Sequence, residues 1–201
     1  MNIGFIASHN GTNMQAVIKA CKEGVLKANP VVVISNNGDS GALLKAKREG
    51  IPYYHLSRKT HPVPEQLDNE ILNALVSNQV DLVILAGYMC RLGTKTLKYY
   101  KGRVINIHPA LLPKHGGEGM YGLKVHQAVL ASGEKETGVT IHLTDEDYDH
   151  GAIIAQSRVP VLPGDTVEVL SERVLEREHS FLVETIDKII NGEIELFKTN
   201  R

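Results

Sequence analysis

The stretch from Val104 to Pro113, VINIHPALLP, contains a strand that ends abruptly at a proline. Its β-branched residues favour a strand, and side chains alternate across a strand, so Asn106 and His108 are expected on the same face. Pro109 has no N–H to donate to a neighbouring strand and ends the strand there. The sequence therefore predicts an amide and an imidazole side by side at the carboxyl end of a strand, where open α/β sheets bind ligands.

This pair of side chains is suited to proton transfer and to binding an oxyanion. Asn106 offers a neutral N–H, and His108 can donate as an imidazolium or as a neutral tautomer. Together they could stabilise a developing oxyanion while the imidazole handles a proton. The same residues also fit a strand end at which both side chains only make the hydrogen bonds of a turn. This stretch alone leaves the two interpretations open.

The composition is that of one globular domain spanning residues 1–201, with 42% hydrophobic and 22% charged residues. The net charge of -1 gives no basic field for nucleic acid, so small-molecule partners are expected. Cys21 and Cys90 lie far apart, which indicates a reducing compartment and no disulfide framework. No secretory signal and no apolar run of membrane-spanning length is visible, so a cytoplasmic location is expected. The oligomeric state is open between monomer and homodimer.

Strands and helices alternate through the first half of the chain, which is typical of right-handed βαβ crossovers. This predicts an α/β fold with a doubly wound, mostly parallel sheet and helices on both faces. Strands are predicted at 2–8, 30–35, 53–56, 81–86 and 104–108, and helices at 14–21, 40–49, 65–77 and 94–100.

The second half predicts a mixed sheet. A helix at 124–131 is followed by strands at 137–144 and 151–161, which are expected to pair antiparallel. A long amphipathic helix at 166–191, with a possible break near its middle, ends at a glycine. A last short strand is predicted at 194–197. The segment 116–122 has four glycines and could close over a ligand or act as a plain connector.

The turn after the first strand, residues 9–13, leads directly into a helix. This geometry presents backbone N–H groups to an anion. The turn lacks the glycines of a dinucleotide-binding fingerprint and the Gly-Lys-Ser/Thr of a P-loop. Thr12 and Asn13 are also good capping residues, so the turn by itself fits an ordinary helix N-cap better than an anion site.

Four motifs spread over nearly the whole chain carry a resemblance to a known family. They are SHNGTN at 8–13, LAGYM at 85–89, NIHPALLPK at 106–114 and the Asp-x-Gly that begins at Asp149. On these motifs the chain resembles the folate-dependent formyltransferases. Within this family, the first motif and the short chain are most similar to the enzymes that formylate glycinamide ribonucleotide.

The resemblance implies a reaction and a catalytic trio of Asn106, His108 and Asp149. The amine of N1-(5-phosphoribosyl)glycinamide would attack the formyl carbon of 10-formyltetrahydrofolate, giving the formylated amide and tetrahydrofolate for purine synthesis. Asn106 and His108 would stabilise the oxyanion, and Asp149 would keep His108 protonated and help to relay a proton.

The resemblance also implies the binding residues. Gly11, Thr12 and Asn13 match the phosphate site, and Glu178 matches the residue that binds the ribose hydroxyls, although periodicity alone makes Glu178 a solvated helix charge. The folate would contact Asn106 and the segment Met89, Cys90, Arg91 and Leu92.

No metal is expected, because formyl transfer to an amine needs none. His142 is expected to be a buried structural histidine rather than a metal ligand. Two positions depart from the family pattern. His150 stands where a small residue is usual, and Pro64 stands near where related enzymes carry an arginine for the folate.

Two alternative functions stay open. With water as the acceptor, the same site would be a formyltetrahydrofolate hydrolase, although such relatives usually carry an additional amino-terminal domain. A catalytically inactive nucleotide-binding module is the alternative from a different class.

Overall fold

The structure, a computed structural model, describes residues 1–145 and 149–196. In this part of the chain there are seven strands and six helices, which alternate except that β7 follows β6 directly. The strands are β1 (Asn2–Ala7), β2 (Asn29–Ser35), β3 (Tyr53–His55), β4 (Leu82–Leu85), β5 (Val104–His108), β6 (Glu136–Leu143) and β7 (Ile153–Pro160). The helices are α1 (Thr12–Lys22), α2 (Gly41–Glu49), α3 (Pro64–Ser77), α4 (Thr94–Tyr99), α5 (Leu123–Ala131) and α6 (Val167–Ile190).

All seven strands form one sheet in the order β3-β2-β1-β4-β5-β6-β7. Neighbouring strands from β3 to β5 are parallel, whereas β6 pairs antiparallel with both β5 and β7. The predicted doubly wound, mostly parallel mixed sheet is therefore confirmed. The strand order reverses beside β1, which lies between β2 and β4.

Helices cover both faces of the sheet, as predicted. Apolar residues of α1, α2, α5 and α6 pack on one face, and those of α3 and α4 pack on the other. In α6 the buried side chains recur at helical spacing, so one stripe of the helix faces the sheet. That stripe includes the predicted core residues Leu170, Val174, Phe181, Leu182 and Ile186.

Two sequence predictions about the carboxyl-terminal part are corrected. Helix α6 runs without a break, because no proline or glycine interrupts it. Residues 194–196 are not in a strand, and Phe197 of the predicted last strand lies outside the described residues. The other predicted ends differ from the observed ones by one or two residues, which is normal for fraying termini. Within the described residues, no helix combines the length and apolar character needed to span a membrane.

Candidate active site

The carboxyl ends of β1, β4 and β5 open into a cleft of about 680 Å³. This is the point at which the strand order reverses, and open α/β sheets bind ligands at such points. Every residue that the sequence analysis selected for catalysis or binding lines this cleft: Gly11, Thr12, Asn13, Met89, Cys90, Arg91, Leu92, Asn106, His108, Asp149 and Glu178.

Asn106, His108 and Asp149 converge at one end of the cleft. The Nδ1 atom of His108 lies 3.5 Å from Oδ2 of Asp149, and Nδ2 of Asn106 lies 3.4 Å from Oδ1 of the same carboxylate. Asp149 has a φ of 57°, a left-handed conformation that is uncommon outside glycine. The Gly117 N–H donates to Asp149 Oδ2 at 3.0 Å and helps to hold the carboxylate in place.

His142 belongs to the same cluster, and the sequence analysis missed this. It is buried and hydrogen-bonded as expected, with Nδ1 donating to the Leu143 carbonyl at 2.9 Å. Its Nε2, however, lies 3.0 Å from Asn106 Nδ2 and 3.4 Å from Asp149 Oδ1. The cause is the antiparallel register, which sets His142 directly opposite Asn106. The strand register was the only signal that could have identified it.

The loop that follows His108 is pinned to the neighbouring strand by a polar network. The hydroxyl of Thr140 donates to the Ala110 carbonyl at 2.6 Å and accepts from the Leu112 N–H at 3.0 Å. The Gln156 amide donates to the Leu112 carbonyl at 2.9 Å. Because buried polar networks that are fully bonded are rigid, this arrangement fixes the backbone beside the imidazole of His108.

His108 is neutral at pH 7 in this structure. Its burial lowers the pKa of the imidazole, and the nearby charge of Asp149 and the His115 carbonyl only partly oppose that effect. Asp149 thus acts on the imidazole in the expected direction, since its charge raises the pKa of His108, but burial has the larger effect in the unliganded site. Burial also raises the pKa of Asp149, but His142, His108 and the Gly117 N–H outweigh burial and hold the pKa below its ordinary value, so Asp149 is ionised.

The start of α1 is an uncapped helix terminus that faces the cleft. Gly11 is the N-cap residue, with a φ of 60°, and no side chain caps the helix. A Cβ at Gly11 would lie 2.9 Å from the Cβ of Ala42, so glycine is required there. Thr12 and Asn13 do not act as the cap, which removes the ordinary N-cap interpretation. The first N–H groups of the helix therefore have no side-chain cap among the described residues, and uncapped N–H groups at a helix start are suited to an anion.

Glu178 is buried beside Asn13 of α1, with 8% of its surface exposed. Burial raises its pKa to about 8, although a hydrogen bond with Asn13 opposes this. The solvated position inferred from periodicity alone is wrong. Glu178 lies four residues from both Val174 and Leu182, on the buried stripe of α6, and that spacing was a usable signal. The Asn13 Oδ1 atom is buried without a hydrogen-bond partner among the described residues.

The loop after β4 forms the apolar wall of the cleft. The Met89 N–H donates to the Ser8 hydroxyl at 2.8 Å, and the Ser8 N–H donates to the Gly87 carbonyl at 3.0 Å. These bonds join the loop to the turn that precedes α1. Leu92 is buried, whereas Met89 is 36% exposed, so the loop offers an apolar surface to a ligand.

The two departures from the family pattern lie away from this wall. His150 is exposed and Pro64 is the first residue of α3. Neither is among the residues that line the cleft. Over residues 1–145 and 149–196, no three His, Cys, Asp or Glu side chains are placed to hold a metal ion together.

Comparison with known proteins gives a family match over most of the chain. The family model described as Formyl transferase matches residues 1–186. A chloroplastic phosphoribosylglycinamide formyltransferase of Arabidopsis thaliana is 38% identical over 193 residues, which is 96% of this chain and 66% of the relative. The chain therefore spans slightly less than two thirds of that plant relative. The phosphoribosylglycinamide formyltransferase of Haemophilus influenzae is 37% identical over 96% of this chain and 89% of its own length.

Solved structures agree with this match. A glycinamide ribonucleotide transformylase 1 from Symbiobacterium toebii superposes with a TM-score of 0.90 at 36% identity, covering 98% of this chain and 91% of that chain. A formyltetrahydrofolate deformylase from Pseudomonas syringae also matches, with a TM-score of 0.85 at 25% identity, covering 98% of this chain and 63% of that chain. The extent of these matches shows that the chain belongs to the formyl transferase family.

Proposed function

We propose that this protein transfers the formyl group of 10-formyltetrahydrofolate to the amine of N1-(5-phosphoribosyl)glycinamide. The observation that carries the proposal is the convergence of Asn106, His108 and Asp149 beside an uncapped helix terminus within one cleft. Relatives named phosphoribosylglycinamide formyltransferase, at 37% to 38% identity over 96% of the chain, support the choice of substrate.

In this proposal the substrate amine attacks the formyl carbon, and the carbonyl oxygen becomes an oxyanion. The N–H of Asn106 stabilises that charge in a cleft partly closed to water. The neutral imidazole of His108 accepts the proton that the attacking nitrogen loses, and ionised Asp149 stabilises the resulting imidazolium. The imidazolium then returns the proton to N10 as the C–N10 bond breaks, so one proton moves from the amine to tetrahydrofolate.

The substrate phosphate binds at the start of α1, where Gly11, Thr12 and Asn13 offer backbone N–H groups. The helix dipole adds a partial positive charge at that point. Glu178, protonated at neutral pH because of burial, can donate one hydrogen bond and accept others. That combination suits a pair of ribose hydroxyls, which also donate and accept.

The pterin of the folate binds along the segment Met89, Cys90, Arg91 and Leu92, with its formyl group directed towards Asn106. An apolar loop fixed by two hydrogen bonds to Ser8, one with its hydroxyl and one with its N–H, gives a flat ring system a preformed surface. The formyl donor is a co-substrate, and the steps proposed here require no metal.

Amine dependence separates this function from the two alternatives. With 10-formyltetrahydrofolate as donor, release of tetrahydrofolate should require N1-(5-phosphoribosyl)glycinamide. Release at the same rate without the amine would favour a hydrolase, and the match to a deformylase makes this comparison necessary. Binding of both compounds without turnover would favour an inactive nucleotide-binding module.

The proposal treats residues 1–201 as one domain, monomeric or homodimeric and cytoplasmic. A single continuous sheet through the described residues supports the single domain. Light scattering on the purified protein would give the oligomeric state. The cytoplasmic location stays a prediction, since the relatives include chloroplastic plant proteins.

A further inference from the structure

The segment 115–117 contacts two members of the catalytic trio through its backbone. The carbonyl oxygen of His115 lies 2.8 Å from Nε2 of His108. Two residues later, the Gly117 N–H donates to Oδ2 of Asp149 at 3.0 Å. The placement of this segment therefore decides how both the imidazole and the carboxylate are hydrogen-bonded.

The contact with the carbonyl selects one tautomer of His108. A carbonyl oxygen can only accept, so Nε2 of His108 must carry a hydrogen atom. A neutral imidazole has one hydrogen on nitrogen, so Nδ1 keeps a lone pair. Nδ1 is the atom that lies 3.5 Å from Asp149 Oδ2, at the reacting end of the cleft. The His115 carbonyl thus leaves free the nitrogen that must accept the proton from the amine.

A half-buried contact between His115 and Glu134 fixes the residue that supplies this carbonyl. His115 has a φ of 54°, which costs energy for a residue with a Cβ and must be held by its surroundings. Its side-chain Nε2 lies 3.0 Å from Oε1 of Glu134, which precedes β6. The two side chains are 14% and 24% exposed, so solvent screens the contact only in part.

We propose that Glu134 is a positioning residue for formyl transfer: through His115 it holds the backbone carbonyl that fixes His108 as the tautomer with hydrogen on Nε2. The kinetic part of this inference rests on the proposed function. The tautomer is a property of the unliganded protein and can be measured without any substrate.

The first test is nitrogen NMR of protein labelled with ¹⁵N-histidine, at a pH at which His108 is neutral. The His108 signals are assigned by their loss in His108→Ala. In the wild-type protein we expect hydrogen on Nε2 and none on Nδ1, and in Glu134→Ala a second population with hydrogen on Nδ1. Hydrogen on Nδ1 in the wild-type protein, or an unchanged tautomer in Glu134→Ala, would overturn the proposal.

The second test is kinetic. Glu134→Ala should lower kcat by on the order of tenfold and leave both KM values within about twofold, because a misplaced proton acceptor slows chemistry more than binding. His115→Ala should have a similar effect, and the double variant should be no slower than the slower single variant, because both changes remove the contact between His115 and Glu134. The other contact of Glu134, with Lys114 at 3.5 Å, involves an exposed side chain and should contribute little. A double variant whose loss equals the product of the single losses would contradict the proposal.

A matched control is Glu136→Ala, at the first residue of β6, which removes an exposed ion pair with Arg158. Its kcat should equal that of the wild-type protein.

The acid limb of the kcat/KM profile should move to lower pH in Glu134→Ala but not in the control, because the His115 carbonyl raises the pKa of His108. If the acid limb does not move in Glu134→Ala, Glu134 has only a structural role and the proposal is wrong. A wild-type protein without formyl transfer would refute the proposed function and leave the NMR test intact.

Discussion

The imidazole of His108 and the carboxylate of Asp149 meet with 3.5 Å between Nδ1 and Oδ2, although one ends strand β5 and the other lies in the loop before β7. Burial lowers the pKa of the imidazole, and neighbouring groups hold the pKa of the carboxylate below its ordinary value. The pair is therefore ready to accept a proton and to stabilise the charge that results.

Asp149→Asn tests the electrostatic half of this pair. The charge of Asp149 raises the pKa of His108 and partly opposes burial, so its removal should lower that pKa further. We expect kcat to fall by on the order of a hundredfold and the acid limb of the kcat/KM profile to move to lower pH. Asp39→Asn, at an exposed position, is the control. An acid limb that stays in place would show that Asp149 does not act on His108.

Glu178→Gln tests the buried carboxyl through stability. Burial raises the pKa of Glu178 from 4.5 to about 8, so the folded state favours the protonated acid. The contribution of this group to the free energy of unfolding is fully present below the pKa of the unfolded chain. It is lost as the pH rises towards about 8, and the free energy of unfolding then falls by at most roughly 1.4 kcal/mol per pH unit. Denaturant unfolding should show the wild-type protein losing stability relative to Glu178→Gln over this window. Parallel curves for the two proteins would contradict a buried, protonated Glu178.

Asn13→Ala tests the phosphate site at the start of α1. Its buried Oδ1 has no described partner and its side chain bonds Glu178, so the change should disturb the substrate subsite. We expect the KM for the phosphorylated amine to rise severalfold and kcat to change little. Gln15→Ala, two residues further along the same helix, controls for helix stability. An unchanged KM would count against a phosphate site here.

Met89→Ser tests the apolar wall. Met89 is partly exposed in the cleft, so removing its thioether should weaken folate binding without opening a core cavity. The KM for 10-formyltetrahydrofolate should rise by roughly tenfold, from the loss of one to two kcal/mol of apolar burial, and the KM for the amine should not change. Leu44→Ser, on the exposed surface of α2, serves as the control. Equal changes in both KM values would argue for a general distortion.

The sequence was sufficient to predict the sheet and the placement of Asn106 and His108 together at the end of β5, because alternating side chains and a terminating proline are local signals. It was insufficient for His142, whose position depends on the register between two strands. Periodicity alone predicted a solvated Glu178, because a charged residue is usually exposed, although its position in the sequence lies on the buried stripe of α6. The effect of burial on the pKa of His108 was not predicted, because the neighbouring carboxylate is visible in a motif whereas the degree of burial is a property of the fold.

The most direct measurement of the central claim is the rate of amine-dependent formyl transfer by His108→Ala, with circular dichroism and thermal unfolding to show an intact fold. His108 is almost fully buried beside Asp149, and the account makes it the acceptor of the amine proton. We predict a kcat lowered by on the order of a hundredfold or more with the fold unchanged. Wild-type turnover in this variant would remove His108 from the mechanism and contradict the account.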